Sequence, residues 1–264
     1  MKTVLRIILL LLLSTPCFSQ TPNKSETVIL NGIETYYEVY GEGEPLFLLH
    51  GWTQASQSWN GFIADFSGDY AVHVVDLMGH GKSATFKDDF DIRLAANNLL
   101  SLLNHLGIGK MKAIGLSYGG ELLLQLCAAR SDRVESMVVI GASYYYPKQD
   151  WGWRYEKLDP KYLEWLRDVH IHGEKQIRSF LEQMPNYEIL LSNEQVRNIS
   201  TNTLIVVGET DNFVDIDTAA KLHNLMPDSF LWIVPHTGHV AHTGDNKPEF
   251  VRITKEFLSG KWGK

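Results

Sequence analysis

Apolar and polar positions follow two rhythms along this chain. From Glu26 to Leu30 and from Ile33 to Tyr40, β-type runs flank Asn31-Gly32. That dipeptide suits a two-residue hairpin turn, whose central residues need left-handed backbone. Gly41-Glu42-Gly43-Glu44-Pro45 reads as a turn, and Leu46 to Leu49 as a short, fully apolar strand. The period then changes. Trp59, Phe62, Ile63 and Phe66 recur at helical spacing, as the inner face of a helix. Ala71 to Val75 reads as the next strand. Ile92, Ala95, Ala96, Leu99, Leu102, Leu103 and Leu106 form one side of a long helix. A mostly apolar strand, Met111 to Leu116, leads through Gly115-Leu116-Ser117-Tyr118-Gly119 into an apolar helix, Glu121 to Arg130. Val134 to Ile140 is a further strand.

The alternation stops at Gly141 and resumes after about Ser200. No strand is predicted between them. Helices are predicted at Pro160 to Val169 and Glu174 to Met184. Tyr144, Tyr145, Tyr146, Trp151, Trp153, Tyr155, Tyr162 and Trp165 crowd this stretch. The closing part reads as a strand at Thr203 to Val207, a helix near Thr218 to Met226, a strand at Phe230 to Val234 and a helix from about Pro248 to Leu258. Strands separated by helices predict an α/β fold, a mostly parallel sheet with helices on both faces. The predicted core is 20–140 with 201–264, and 141–200 is predicted to be a small helical lid at the strand ends.

Composition adds limits. Of the 264 residues, 44% are apolar, enough for a full core. The net charge is −7 and there is no basic stripe, so nucleic acid is not an expected partner. The start of the chain reads as a leader. Lys2 and Arg6 precede the short apolar run Ile7 to Leu13, and small residues Cys17 and Ser19 follow. This is the pattern of a secretory signal peptide over 1–19, too short to span a bilayer. Cleavage after Ser19 would leave a periplasmic or secreted protein beginning near Gln20 and not inserted in the membrane. A lipoprotein site at Cys17 fits less well, because Pro16 sits where a small residue is usual, and an uncleaved anchor is the third reading. After cleavage only Cys127 remains, so no internal disulfide is expected. Its place on an apolar helix reads as a buried, inert thiol.

The chemistry centres on Ser117. Strand, sharp turn and helix, with glycines two residues either side of a serine, form a nucleophile elbow. The glycines leave room for backbone packed against the turn. The turn lifts the serine hydroxyl above the sheet and aims the Tyr118 N–H at the same point. A serine hydroxyl needs a base, and the base needs an acid to hold it. On a parallel sheet both belong in loops after strands. Gly208-Glu209-Thr210-Asp211 follows one strand, and Pro235-His236-Thr237-Gly238-His239 follows another. The order Ser117, Asp211, His239 is the one the elbow predicts. Glu209 and Asp215 compete with Asp211, and His236 and His242 flank His239.

With His50-Gly51-Trp52 and the glycine-punctuated loop Asp76 to Ser83 also in place, the chain resembles the α/β-hydrolase superfamily, in its small-lid, esterase-like branch. The resemblance spans nearly all of the mature chain. It implies Ser117 as nucleophile, His239 as general base and then acid, Asp211 as orienting acid, and an oxyanion hole from the Trp52 and Tyr118 backbone N–H groups. It also implies that His50, Asp76 and His80 brace loops. Relatives that attack alkyl carbon carry aspartate at the elbow, so Ser117 points to acyl chemistry.

The reading is an exported serine hydrolase of carboxylic esters with small to medium apolar or aryl groups. Trp52, Trp153 and Trp165 are candidate pocket residues, and neither metal nor organic cofactor is implied. Lactone, carbon–carbon and peptide-end hydrolysis stay open on the same fold, as does a ligand-binding relative with little turnover. Peptide-end cleavage would draw on Glu156, Asp159, Glu164 or Asp168.

Overall fold

The computed structural model describes residues 20–87, 89–149 and 152–262. The predicted leader, with Cys17, and Trp151 lie outside the described residues. In chain order the elements are β1 (Lys24–Leu30), β2 (Ile33–Tyr40), β3 (Glu44–Leu49), α1 (Asn60–Phe66), β4 (Tyr70–Val75), α2 (Ile92–His105), β5 (Met111–Leu116), α3 (Tyr118–Arg130) and β6 (Val134–Ile140). Then come β7 (Tyr145–Tyr146), α4 (Pro160–Val169), α5 (Gly173–Gln183), β8 (Ile189–Leu190), α6 (Asn193–Arg197), β9 (Asn202–Gly208), α7 (Ile216–Leu225), β10 (Ser229–Val234) and α8 (Lys247–Leu258).

Eight strands form one sheet in the order β1-β2-β4-β3-β5-β6-β9-β10. Pairing is antiparallel from β1 to β2 and from β2 to β4, and parallel from there on. Only β2 therefore runs against its neighbours. The hairpin that reverses it turns on Asn31 and Gly32, with φ of 52° and 81°, the left-handed pair that a type I′ turn requires.

The period of two sorts the sheet residues onto two cores. Phe47, Leu49, Ala113, Val139, Ile205 and Val207 face α2, α3 and α7. Leu46, Leu48, Ile114, Val138, Leu204 and Val206 face α1 and α8. The sheet is thus covered on both faces, and its inner strands read as unbroken apolar runs for that reason. The predicted stripe Trp59, Phe62, Ile63 and Phe66 is buried against the second face. Among the described residues no helix is long and apolar enough to cross a membrane.

The segment between β6 and β9 departs from its reading in its strands and in one added helix. It is not free of strands. Tyr145 pairs with Leu190 and Tyr146 with Ile189, antiparallel, so β7 and β8 draw its two ends together. Strands of two residues leave no alternation to read. α4 has the predicted bounds, and α5 differs by a residue at each end. The short α6 was not predicted. Its Ser192 accepts from the Gln195 N–H and the Gln195 side chain reaches back to the Ser192 N–H, a capping box. Leu166, Ile177, Phe180 and Leu181 form a small core here, against which Trp52 and Phe86 of the main body pack.

Candidate active site

β5 passes into α3 through Ser117 alone. Its φ of 49° and ψ of −115° lie outside the regions that L residues favour, a strain of about 1–3 kcal/mol. Neighbouring bonds hold it. Ser117 N–H donates to the Ile140 carbonyl at 2.7 Å, and Glu121 N–H to the Ser117 carbonyl at 2.8 Å. The flanking glycines are needed for space. A Cβ on Gly115 would lie 2.5 Å from the Gly119 carbonyl carbon, and one on Gly119 would lie 2.4 Å from the Leu49 carbonyl oxygen. Larger residues would push the serine off the strand end.

Asp211 and His239 come together from the loops after β9 and β10. His239 Nδ1 lies 2.8 Å from Asp211 Oδ2 and 3.0 Å from Oδ1. The carboxylate accepts, so Nδ1 carries the proton and Nε2 is left as the basic nitrogen. Phe213 and Val214 N–H donate to Asp211 Oδ1 at 2.8 and 3.1 Å. Burial pushes the Asp211 carboxyl up, but the hydrogen bond and charge of His239 and these two N–H groups outweigh it and hold the acid below its ordinary range. Gly141 makes room for the pair. Its φ is +54°, and a Cβ there would lie 2.9 Å from His239 Nδ1.

The rival residues have other work. Asp215 caps α7, accepting from Thr218 N–H at 2.8 Å. Glu209 accepts from His236 N–H at 2.8 Å, and the His236 ring is exposed. His242 is buried among Trp59, Phe62 and Phe250.

The loop after β3 is braced by buried histidines. His50 Nδ1–H donates to the Gly51 carbonyl at 2.8 Å, and Nε2 accepts from Leu77 N–H at 2.9 Å. His80 Nδ1–H donates to the Met78 carbonyl at 3.0 Å, and Nε2 accepts from Thr53 N–H at 3.2 Å. Asp76 accepts from Ser56 and Lys82 N–H at 2.6 and 2.8 Å. His50, Asp76 and His80 therefore tie this loop to the one after β4, as the resemblance implied. A third histidine was not foreseen. His170, just past α4, accepts from Gly81 N–H at 2.8 Å and donates through Nε2 to the Thr53 carbonyl at 3.1 Å. The Thr53 hydroxyl also meets the Tyr162 hydroxyl at 2.6 Å. Burial holds His50 and His170 down to about 4 and His80 well below its ordinary value. Each ring stays neutral because each uses one nitrogen as an acceptor. Cys127 is buried, and burial pushes its thiol up to about 12.

Ser117 and His239 open into one cavity of about 200 Å³, mostly apolar, whose wall includes Trp52, Tyr146, Trp153, Tyr187 and Phe213. Trp52 and Trp153 thus stand where they were placed from the sequence. Trp165 does not. It is 37% exposed and stacks on Tyr162 with ring centroids 5.5 Å apart, away from the cavity. The buried face of α4 is Leu166 and Val169, and position 165 falls outside it. The carboxylates proposed for peptide-end cleavage also turn outward: Glu156 pairs with Arg178 at 2.7 Å, Asp159 caps α4, and Glu164 and Asp168 are exposed. The acid that does line the cavity is Glu121, unremarked in the sequence because it sits in an apolar helical run.

Comparison with known proteins agrees with this fold. Residues 44–176, half of the chain, match the family described as alpha/beta hydrolase fold. The chain is 24% identical to a 2-hydroxy-6-oxo-6-(2'-aminophenyl)hexa-2,4-dienoic acid hydrolase of Metapseudomonas resinovorans, over 91% of this chain and 94% of that one. It is 22% identical to a pimeloyl-[acyl-carrier protein] methyl ester esterase of Nitrosomonas europaea, over 85% and 96%. A serine hydrolase from the polyaromatic-hydrocarbon-degrading bacterium Cycloclasticus zankles superposes with a TM-score of 0.79 at 20% identity, over 91% of this chain and 99% of that one. With the sheet order, the strained serine turn and the family match in agreement, the chain belongs to the alpha/beta hydrolase fold family.

Proposed function

We propose that the protein is a serine hydrolase that cleaves carboxylic esters carrying small to medium apolar or aryl groups. The observation that carries the reading is that His239, held by Asp211, opens into the same apolar cavity as Ser117. In this reading Ser117 Oγ attacks the ester carbonyl carbon while His239 Nε2 takes its proton. The oxyanion forms between the Trp52 and Tyr118 N–H groups, neither of which donates to another backbone carbonyl among the described residues. The C–O bond to the alcohol then breaks, and His239 returns the proton to the leaving alkoxide. Water repeats the sequence on the acyl-enzyme, releasing the acid and restoring Ser117. Asp211 holds the imidazole in the productive tautomer and supports its charge in each transition state.

The charge of the wall favours a neutral ester over an acid. The described residues lining the cavity include no lysine or arginine, and they do include Glu121. The relative from Metapseudomonas acts on a dienoic acid and that from Nitrosomonas on a methyl ester. Above about pH 7, where Glu121 is ionised, a carboxylate substrate would meet like charge here without a lysine or arginine to offset it. The predicted leader would place this action outside the inner membrane, and N-terminal sequencing should then find the mature chain starting near Gln20. A panel of nitrophenyl esters tests the activity. Turnover should be highest for short or aryl acids and vanish in Ser117→Ala. A maximum at long acyl chains, or turnover only of acidic substrates, would refute the reading.

A further inference from the structure

Glu121 is the ionisable group in the cavity wall that ester cleavage leaves without a task. It sits one helical turn beyond Ser117 on α3 and is 4% exposed. The Tyr187 hydroxyl donates to Oε2, and Ser143 N–H reaches Oε1 at 3.3 Å. A carboxylate offers about four lone-pair sites, so these two donors leave part of its capacity unfilled. No lysine or arginine pairs with it among the described residues. Burial outweighs the Tyr187 and Ser143 donors and the charge of His239 and leaves the carboxyl raised to about 7. A packing role alone would be filled more cheaply by an apolar side chain, because a buried acid without a counter-charge is costly.

The surroundings say what would meet that acid. The same cavity wall carries the aromatic side chains of Trp52, Tyr146, Trp153 and Tyr187. A hydroxyl on the substrate would gain one hydrogen bond from Glu121. An ammonium would gain a charge-assisted bond and the attraction of the rings as well, in a site sheltered from water.

We propose that Glu121 is the recognition point for a protonated amine on the acyl part of the substrate. This rests on the cavity being the acyl site of the proposed esterase. The preferred substrates are then aminoacyl esters, with the carbonyl at Ser117 and the ammonium at Glu121.

The test uses isosteric pairs on the intact protein: nitrophenyl β-alaninate against butyrate, and 6-aminohexanoate against heptanoate. In each pair an ammonium replaces a methyl group. For at least one pair, wild-type kcat/KM should favour the amine. That ratio should fall by at least about tenfold in Glu121→Gln, which keeps the shape and an acceptor for Tyr187 but removes the charge. An unchanged ratio would overturn the proposal. A second measurement needs no variant. n-Butylamine should slow fluorophosphonate labelling of Ser117 more than n-butanol does, and equal protection would overturn the proposal. Wild-type protein that does not label at Ser117 would instead bring down the esterase reading on which the proposal stands.

Discussion

Replacing His242 with phenylalanine should make this protein more resistant to acid. His242 is 3% exposed, its ring lies 5.1 Å from Trp59, 5.3 Å from Phe62 and 5.5 Å from Phe250, and its Nδ1 has no hydrogen-bond partner. Burial, with the nearby His239 charge, holds it down to about 4 from its ordinary 6.5. The unfolded chain therefore binds more protons than the folded one between pH 6.5 and pH 4. Stability is complete above that window and is lost as pH falls through it. From pH 7 to pH 5 one such histidine removes about 2 kcal/mol. His50, His73 and His170 are held at about 4 in the same way and act in the same direction. Glu121 acts in the opposite direction. Its carboxyl is raised to about 7, so the folded state binds the extra proton and about 2 kcal/mol is regained over the same interval. The sum remains an acid-sensitive protein, since total stabilities are only about 5–15 kcal/mol. The assay is urea unfolding of wild type and His242→Phe at pH 7 and pH 5. Any overpacking by the larger ring acts at both pH values and cancels in the comparison. The fall in midpoint between the two pH values should be smaller in the variant by about 1 M urea. Equal falls in the two proteins would refute the reasoning.

Two further outcomes follow from the site. Asp211→Asn should lower kcat by roughly 10⁴, because the imidazole loses its tautomer and its counter-charge, while Asp215→Asn should leave turnover near wild type and cost only a helix cap, about 1 kcal/mol; ester kinetics beside thermal melts separate the two. Trp153→Ala should change relative kcat/KM across an acyl-chain series, and Trp165→Ala should leave the series unchanged, since only the first ring lines the cavity.

The core was legible where one physical requirement governs many residues in a row. Buried parallel strands must be apolar throughout, and helices packed on a sheet must repeat their apolar face, so the large elements were read within a residue or two, except that α3 begins at Tyr118, three residues before the predicted Glu121. Ser117, Asp211 and His239 were legible because their chemistry ties them to strand ends in a set order. The segment from 141 to 200 was harder because crowding alone does not say which way a ring points. Tyr144 is buried, Tyr145 is 57% exposed and Tyr146 reaches the cavity. That is the alternation of an extended chain, and reading it as one would also have exposed β7. His170 and Thr53 meet across more than a hundred positions, so no local pattern announces their bond. Glu121 escaped notice because a glutamate is an ordinary helix former, and only the fold brings it to the cavity.

The central claim is that Ser117 is an activated nucleophile. Its most direct test is to treat the folded protein with a fluorophosphonate and map the adduct by mass spectrometry. The account predicts a single adduct on Ser117, absent after heat denaturation and formed far more slowly in Asp211→Asn. Folded wild-type protein that stays unmodified, or that carries its adduct on another residue, would contradict it.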